Sequence, residues 1–176
     1  MRPTLVLCGP MGSGKSAVGR RAATALGVAI HDTDAMIEER AGRTIAEIFA
    51  ADGEPAFREI ERDVVVEALG TTAGVLALGG GAVLHPDTRR ALAGYRADGG
   101  VVVFLDVSAR QALLRIGTDQ RRPMLHGDGE SPRQRWNRIA AERRAVYEEV
   151  ASHVVTTDRG TPAAVARRIL ALLPDA

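Results

Sequence analysis

Gly9-Pro10-Met11-Gly12-Ser13-Gly14-Lys15-Ser16 matches the phosphate-loop pattern G-x-x-x-x-G-K-S/T at every defined position. The flanks match as well. The apolar run Thr4–Cys8 in front reads as a buried strand, and Gly14–Leu26 behind reads as a helix stopped by Gly27. Glycines in such a turn let backbone N–H groups close around phosphate oxygens, and the helix start adds the positive end of its dipole. Lys15 brings a mobile charge for the β- and γ-phosphates, and Ser16 brings a hydroxyl ligand for Mg²⁺. Gly12, Ser13, Gly14, Lys15, Ser16 and Ala17 are thus the candidate nucleotide-binding residues. A glycine-rich turn with an incidental Lys-Ser is the bland alternative, and the strand and helix on either side argue against it. The pattern points to a nucleoside triphosphate and says nothing about the acceptor.

Working outward, short apolar runs alternate with segments of helical period. Val28–His31, Val75–Leu78, Val101–Val107 and Val154–Thr156 read as four more strands. Ala35–Arg40, Thr44–Ala50, Pro55 to about Leu69, Pro86–Ala93, Ala109–Ile116, Pro132–Val150 and Pro162–Leu173 read as helices. Thr44 with Glu47 has the capping-box spacing. Five buried strands separated by helices predict an α/β fold, a three-layer α/β/α sandwich on a five-stranded parallel sheet. The whole chain, 1–176, reads as one domain. Ligands of such sheets bind beyond the carboxyl ends of the strands. The phosphate loop, Asp32 with Asp34, Gly79-Gly80-Gly81 and Asp158-Arg159 all fall just after predicted strands, so they should share one edge.

Composition narrows the class. With 45% hydrophobic and 26% charged residues the chain is globular, not disordered. Aromatics are only 3%, so Ala, Val, Leu and Ile must build the core. A net charge of +1 lacks the basic excess of a dedicated nucleic-acid binder. The single cysteine, Cys8, excludes an internal disulfide and reads as a small buried hydrophobe. Thr4–Cys8 is too short for a signal-peptide core, and no run approaches the ~20 apolar residues of a membrane span. A reducing cytoplasm is the expected compartment.

Candidate acceptor residues lie in several segments. Asp32 suits the hydration shell of Mg²⁺, and Asp34 could take a proton from an attacking hydroxyl; either could instead cap the helix that follows. Arg58 and Glu61, three apart on a helix, could present a fixed guanidinium to a carboxylate or be a surface ion pair. Gly79, Gly80 and Gly81 together imply close approach of the backbone to something. The stretch 117–131, with Arg121, Arg122, Gly127 and Gly129, suits a lid that excludes water, or an ordinary surface loop. The arginines of Pro132–Val150 mostly read as a solvated face, with one or two able to reach the site.

These residues resemble the shikimate kinase family, phosphate-loop enzymes related to nucleoside monophosphate kinases. The likeness spans essentially the whole chain. Its most specific parts are Asp32-Thr33-Asp34, Gly53-Glu54 with Phe57-Arg58 and Glu61, Leu78-Gly79-Gly80-Gly81-Ala82, Arg122-Pro123-Met124-Leu125, and Glu142-Arg143 with Tyr147. The resemblance implies transfer of the γ-phosphoryl of ATP to the 3-hydroxyl of shikimate, on the route to aromatic amino acids. It implies that Asp34 binds the hydroxyl as base, that Arg58 and Arg143 grip the carboxylate, and that Gly80 and its neighbours Gly79 and Gly81 line the ring. It places Lys15 and Arg122 at the phosphates, Ser16 and Asp32 at Mg²⁺, and Arg115 with Arg159-Gly160 around adenine. A substrate-binding region at about 33–61 and a lid at about 117–130 follow from it. So does a monomer whose partners are ATP and shikimate, with neither nucleic acid nor membrane.

The chain departs from the family pattern in places. Met124 replaces the usual Leu, and Tyr95–Gly100 resembles an insertion. Arg144-Ala145-Val146 stands where Asn-Pro-Leu is usual, leaving Arg143 and Arg144 both candidates for the carboxylate. Other readings are a kinase for gluconate or a nucleoside monophosphate, and a GTPase-type switch. The switch lacks a guanine-reading Asn-Lys-x-Asp motif.

Overall fold

The computed structural model describes residues 1–117 and 131–174. Five strands, β1 (Pro3–Cys8), β2 (Ile30–Asp32), β3 (Gly74–Ala77), β4 (Val102–Asp106) and β5 (His153–Thr156), make one parallel sheet in the order β2-β3-β1-β4-β5. β2 and β3 flank one side of β1, and β4 and β5 the other, so the chain changes sides of β1 between β3 and β4. Cys8 pairs with Phe104, Asp32 with Ala77 and Asp106 with Thr156, which brings the carboxyl ends of the strands together. That is where an open parallel sheet binds its ligands.

Alternation along β1 builds both cores. Leu5 and Leu7 pack with Val75, Val103 and Leu105 against Val18 and Ala22 of α1 (Lys15–Leu26) and Val165 and Ile169 of α7 (Pro162–Leu170). Val6 and Cys8 face the opposite layer, where α3 (Ile45–Thr71), α4 (Pro86–Ala97) and α6 (Pro132–Val150) contribute Val65, Leu92 and Tyr147. Each such Leu or Val side chain contributes about 1.5–3 kcal/mol on burial. A one-residue slip of the strand would exchange the two faces, so its register is strongly set.

Two smaller clusters position the site. Ile37 of α2 (Thr33–Ala41) packs on Ile48, Phe57 and Val64 of α3. Ala112 and Ile116 of α5 (Ala109–Ile116) pack on Val107 and Trp136 beneath the phosphate loop. The capping box at Thr44 is present, its side chain accepting from Glu47 N. α3 is one hydrogen-bonded element broken at Gly53, whose φ of 80° no other residue type adopts readily. The break falls between the two helices expected from sequence, just before Pro55.

Some boundaries differ from expectation. β2 begins at Ile30, not Val28, and is only half-buried, because it lies at the sheet edge; Val28 is exposed. α4 continues to Ala97, beyond the expected Ala93, and the apparent insertion Tyr95–Gly100 is its last turn and cap. The Tyr95 hydroxyl donates to Pro3 O at 3.0 Å, and a Cβ on Gly100 would strike the Tyr95 ring at 2.4 Å. α7 stops at Leu170 instead of Leu173. Residues 118–130, including Arg121, Arg122, Pro123, Met124 and most of the expected lid, lie outside the described residues.

Candidate active site

The phosphate loop is held by its carbonyls. The Trp136 indole donates to Met11 O at 3.1 Å, and the Thr157 hydroxyl donates to Ser13 O at 3.0 Å. Arg115 of α5 donates to Gly12 O at 3.2 Å and to the Thr157 hydroxyl at 2.9 Å, and reaches Thr157 O as well. Oxygens repel an anion, so engaging these carbonyls with donors from α5, α6 and the end of β5 favours a loop that faces phosphate with its N–H groups. Gly12 is required here: at φ 78°, a Cβ would fall 2.7 Å from Ala112 O. Gly14 caps α1, and Ala17 lies half-buried in its first turn. Lys15 Nζ donates to Gly9 O at 2.8 Å and Pro10 O at 3.0 Å.

Ser16 and Asp32 meet. The Ser16 hydroxyl donates to Asp32 Oδ2 at 2.7 Å, while Asp32 Oδ1 accepts from Asp34 N and caps α2. The two sequence readings of Asp32 are therefore compatible, one oxygen serving each. Two hard oxygens in contact beside a phosphate loop suit a small divalent cation. Among the described residues no group of three or more His, Cys, Asp or Glu could hold a metal ion, so phosphate and water oxygens would have to complete its coordination.

Across from the phosphate loop, charged side chains gather on a glycine bed. Gly79 N donates to Thr33 Oγ1 at 2.8 Å, locking the end of β3 to the start of α2. A Cβ on Gly79 would lie 2.5 Å from Asp34 Oδ1 and 2.9 Å from Glu61 Oε1; one on Gly81 would lie 2.2 Å from Arg58 Nη1. What approaches the triple glycine is thus the chain's own Asp34, Glu61 and Arg58. Gly80 faces the phosphate loop, where a Cβ would sit 3.7 Å from Met11 N.

Arg58 donates to Glu61 Oε2 at 2.5 Å and, through Nη2 and Nε, to Glu54 Oε1 at 2.9 and 3.2 Å. Glu61 is 3% exposed, so this is not a surface pair. Burial pushes its carboxyl above the usual carboxylate range, against the pull of Arg58 and with a further push from Asp34. Burial alone would lower the Arg58 guanidinium; Glu61 and Glu54 outweigh it and raise it. The pair is therefore a fixed cation with its own counter-charge beneath it.

α6 closes the site. Arg143 Nη1 donates to Gly80 O at 3.3 Å, and the Tyr147 hydroxyl, one helical turn on, donates to the same oxygen at 2.5 Å. Burial pushes the Tyr147 phenol up to about 12, which keeps it a donor. Arg144 points elsewhere, forking onto Asp106 at 3.1 and 3.2 Å. Of the two arginines left open by sequence, Arg143 is the one at the glycines.

Asp34, Arg58, Gly79, Gly80, Gly81 and Arg143 thus converge with Lys15, Ser16 and Asp32 at one sheet edge. Arg159 and Gly160 are exposed just beyond Thr157. Arg115, expected at adenine, engages the loop and Thr157 instead of standing free. Sequence reasoning gave no role to Thr33, Thr157 or Trp136. Trp136 alone carried a signal, as the single tryptophan in a chain with few aromatics.

The model of the family described as shikimate kinase matches residues 11–174. A shikimate kinase of Mycobacterium tuberculosis is 49% identical over 173 residues, 98% of this chain and 94% of its own length. One of Rhodococcus jostii is 43% identical over 175 residues, covering 99% of this chain and all of that protein. Among solved structures, shikimate kinase from Acinetobacter baumannii in complex with shikimate superposes with a TM-score of 0.89 at 36% identity, covering 98% of this chain and 92% of that one. This chain belongs to the shikimate kinase family and is an ATP-dependent kinase.

Proposed function

We propose that this kinase transfers the γ-phosphoryl group of ATP to the 3-hydroxyl of shikimate, and that Asp34, Arg58 and Arg143 hold the acceptor. The observation that carries the reading is the convergence of two guanidinium groups, Arg58 and Arg143, and two carboxylates, Asp34 and the Arg58 partner Glu61, on Gly79–Gly81, directly beside the phosphate loop. An acid with ring hydroxyls fits that set. Arg58 and Arg143 pair with its carboxylate, the glycines let the ring lie against backbone, and Asp34 receives a hydroxyl.

In the reaction the acceptor oxygen forms a bond to the γ-phosphorus, the bond to the β-bridging oxygen breaks, and ADP leaves. Asp34 takes the hydroxyl proton. Lys15 neutralises charge on the β- and γ-phosphates, and Arg122, which the family pattern places on a lid, would add a second positive charge there. Ser16 and Asp32 would hold Mg²⁺, which when bound offsets phosphate charge. Little covalent work falls to the protein; orienting two reactants can lower the barrier by roughly 7–11 kcal/mol. Gly12, Ser13, Gly14 and Ala17 would contact the phosphates, and Arg115, Arg159 and Gly160 the adenosine end. A cytoplasmic monomer acting on small molecules alone completes the reading. No helix of the described residues is long and apolar enough to cross a membrane.

A coupled assay with shikimate, gluconate and nucleoside monophosphates offered separately tests the acceptor. Stimulation by shikimate alone is expected; equal rates with all three, or with none, would remove it. Arg58→Ala should raise KM for shikimate by about 10²-fold while KM for ATP changes little, as loss of a charge-assisted contact to one substrate requires. Equal weakening of both substrates would count against the carboxylate role.

A further inference from the structure

Arg144 adjoins Arg143 on α6, and nothing in the phosphoryl transfer above uses it. Its contacts are specific. Nη1 and Nη2 fork onto the two oxygens of Asp106 at 3.1 and 3.2 Å, Nε pairs with Glu148 at 2.8 Å, and the guanidinium lies over the Phe104 ring, 5.8 Å from its centroid. Phe104 in turn stacks on Tyr147, with ring centroids 5.0 Å apart and planes 24° apart. Asp106 is the last residue of β4, and its carbonyl accepts from Thr157 N at 2.8 Å. The Thr157 hydroxyl is the one that holds Ser13 of the phosphate loop.

Consecutive residues of an α-helix point about 100° apart. Arg143 and Tyr147 form one stripe of α6, over Gly80; Arg144 and Glu148 form the next, over the end of β4. A roll of α6 by one position would bring Arg144 toward the glycines and take Arg143 and Tyr147 off them. We propose that Arg144 is a positioning residue: gripping Asp106 and covering Phe104, it sets the roll of α6 so that Arg143 faces the acceptor. This rests on the reading of Arg143 as a carboxylate ligand. Arg144 is 51% exposed and Asp106 29%, so the pair adds little to global stability, and its effect falls on where Arg143 points.

Steady-state kinetics of Arg144→Ala, Asp106→Asn and Arg143→Ala, alone and combined, test this. Arg144→Ala should raise KM for shikimate about five- to tenfold, with kcat and KM for ATP within about twofold and the melting midpoint within about 3 °C. Asp106→Asn should reproduce it, and the two together should do no more than either alone. In an Arg143→Ala background, Arg144→Ala should add nothing, because the group it positions is gone. Overturning results are a full additional loss in that background, or an Arg144→Ala effect falling equally on both substrates. If Arg143→Ala alone leaves KM for shikimate unchanged, the carboxylate reading itself fails, in an enzyme whose Arg144 is intact.

Discussion

The nucleotide side and the acceptor side of this site are built by different means. The nucleotide side is mostly backbone: one contiguous turn, Gly9 to Ser16, whose carbonyls are engaged by Trp136, Arg115 and Thr157. The proposed acceptor side is mostly side chain, with Asp34 from α2, Arg58 and Glu61 from α3 and Arg143 from α6 gathered over three glycines. Backbone donors at a helix start recognise phosphate whatever it is attached to. Charged side chains brought from separate elements can be matched to one particular acceptor. The first design therefore suits a co-substrate shared by many enzymes, and the second suits selectivity.

The largest test of this division is Asp34→Asn. A positioned base contributes about 10²–10⁴-fold, so kcat should fall by roughly 10³ while ATP affinity, measured by titration, stays within about twofold. A near-normal kcat would mean that the acceptor side only positions and takes no part in the chemistry.

A second test separates the buried pair from the loop. Burial raises the pKa of Glu61, so folding favours its protonated form. That stabilisation is complete below the carboxyl's unfolded pKa and is lost as pH rises through the raised folded value. Glu61→Gln cannot ionise and should lack this step. Urea midpoints of the parent should therefore fall relative to the variant as pH rises above the ordinary carboxylate pKa. Parallel profiles would show that Glu61 ionisation is not linked to folding. The same variant should raise KM for shikimate about tenfold, because Arg58 loses one of its two carboxylates, and leave KM for ATP unchanged.

The same division explains what could be read from sequence. β1, the phosphate loop and α1 are contiguous, so pattern and context lie within a short stretch and the reading needs no tertiary knowledge. Arg58 with Glu61 is ambiguous because i, i+3 spacing fixes adjacency, not burial; Phe57 and Val64 carry that helix face inward, against Ile37 and Ile48. Arg143 and Arg144 were ambiguous because neighbours on a helix differ only in its roll, and here Arg144 engages Asp106, 38 residues earlier. Apolar pattern alone starts β2 too early because Val28 is apolar yet exposed, and it ends α4 too soon because Gly94, a poor helix former, lies inside a helix that continues to Ala97.

The smallest expected effect belongs to Trp136, whose indole donates one hydrogen bond to Met11 O and whose ring belongs to the cluster on which Met11 packs. Trp136→Phe keeps an aromatic ring against Val107, Ala112 and Ile116 but removes the donor. A neutral hydrogen bond contributes about 1 kcal/mol net, so KM for ATP should rise by about two- to fivefold. KM for shikimate should not move, since Trp136 makes no contact with the glycine bed among those described. A matching rise for both substrates would show that α6 transmits strain from one half of the site to the other. A rise for ATP alone would show that the two halves, though they meet at Gly80 and Met11, are energetically separable, as backbone and side-chain recognition on different elements should be.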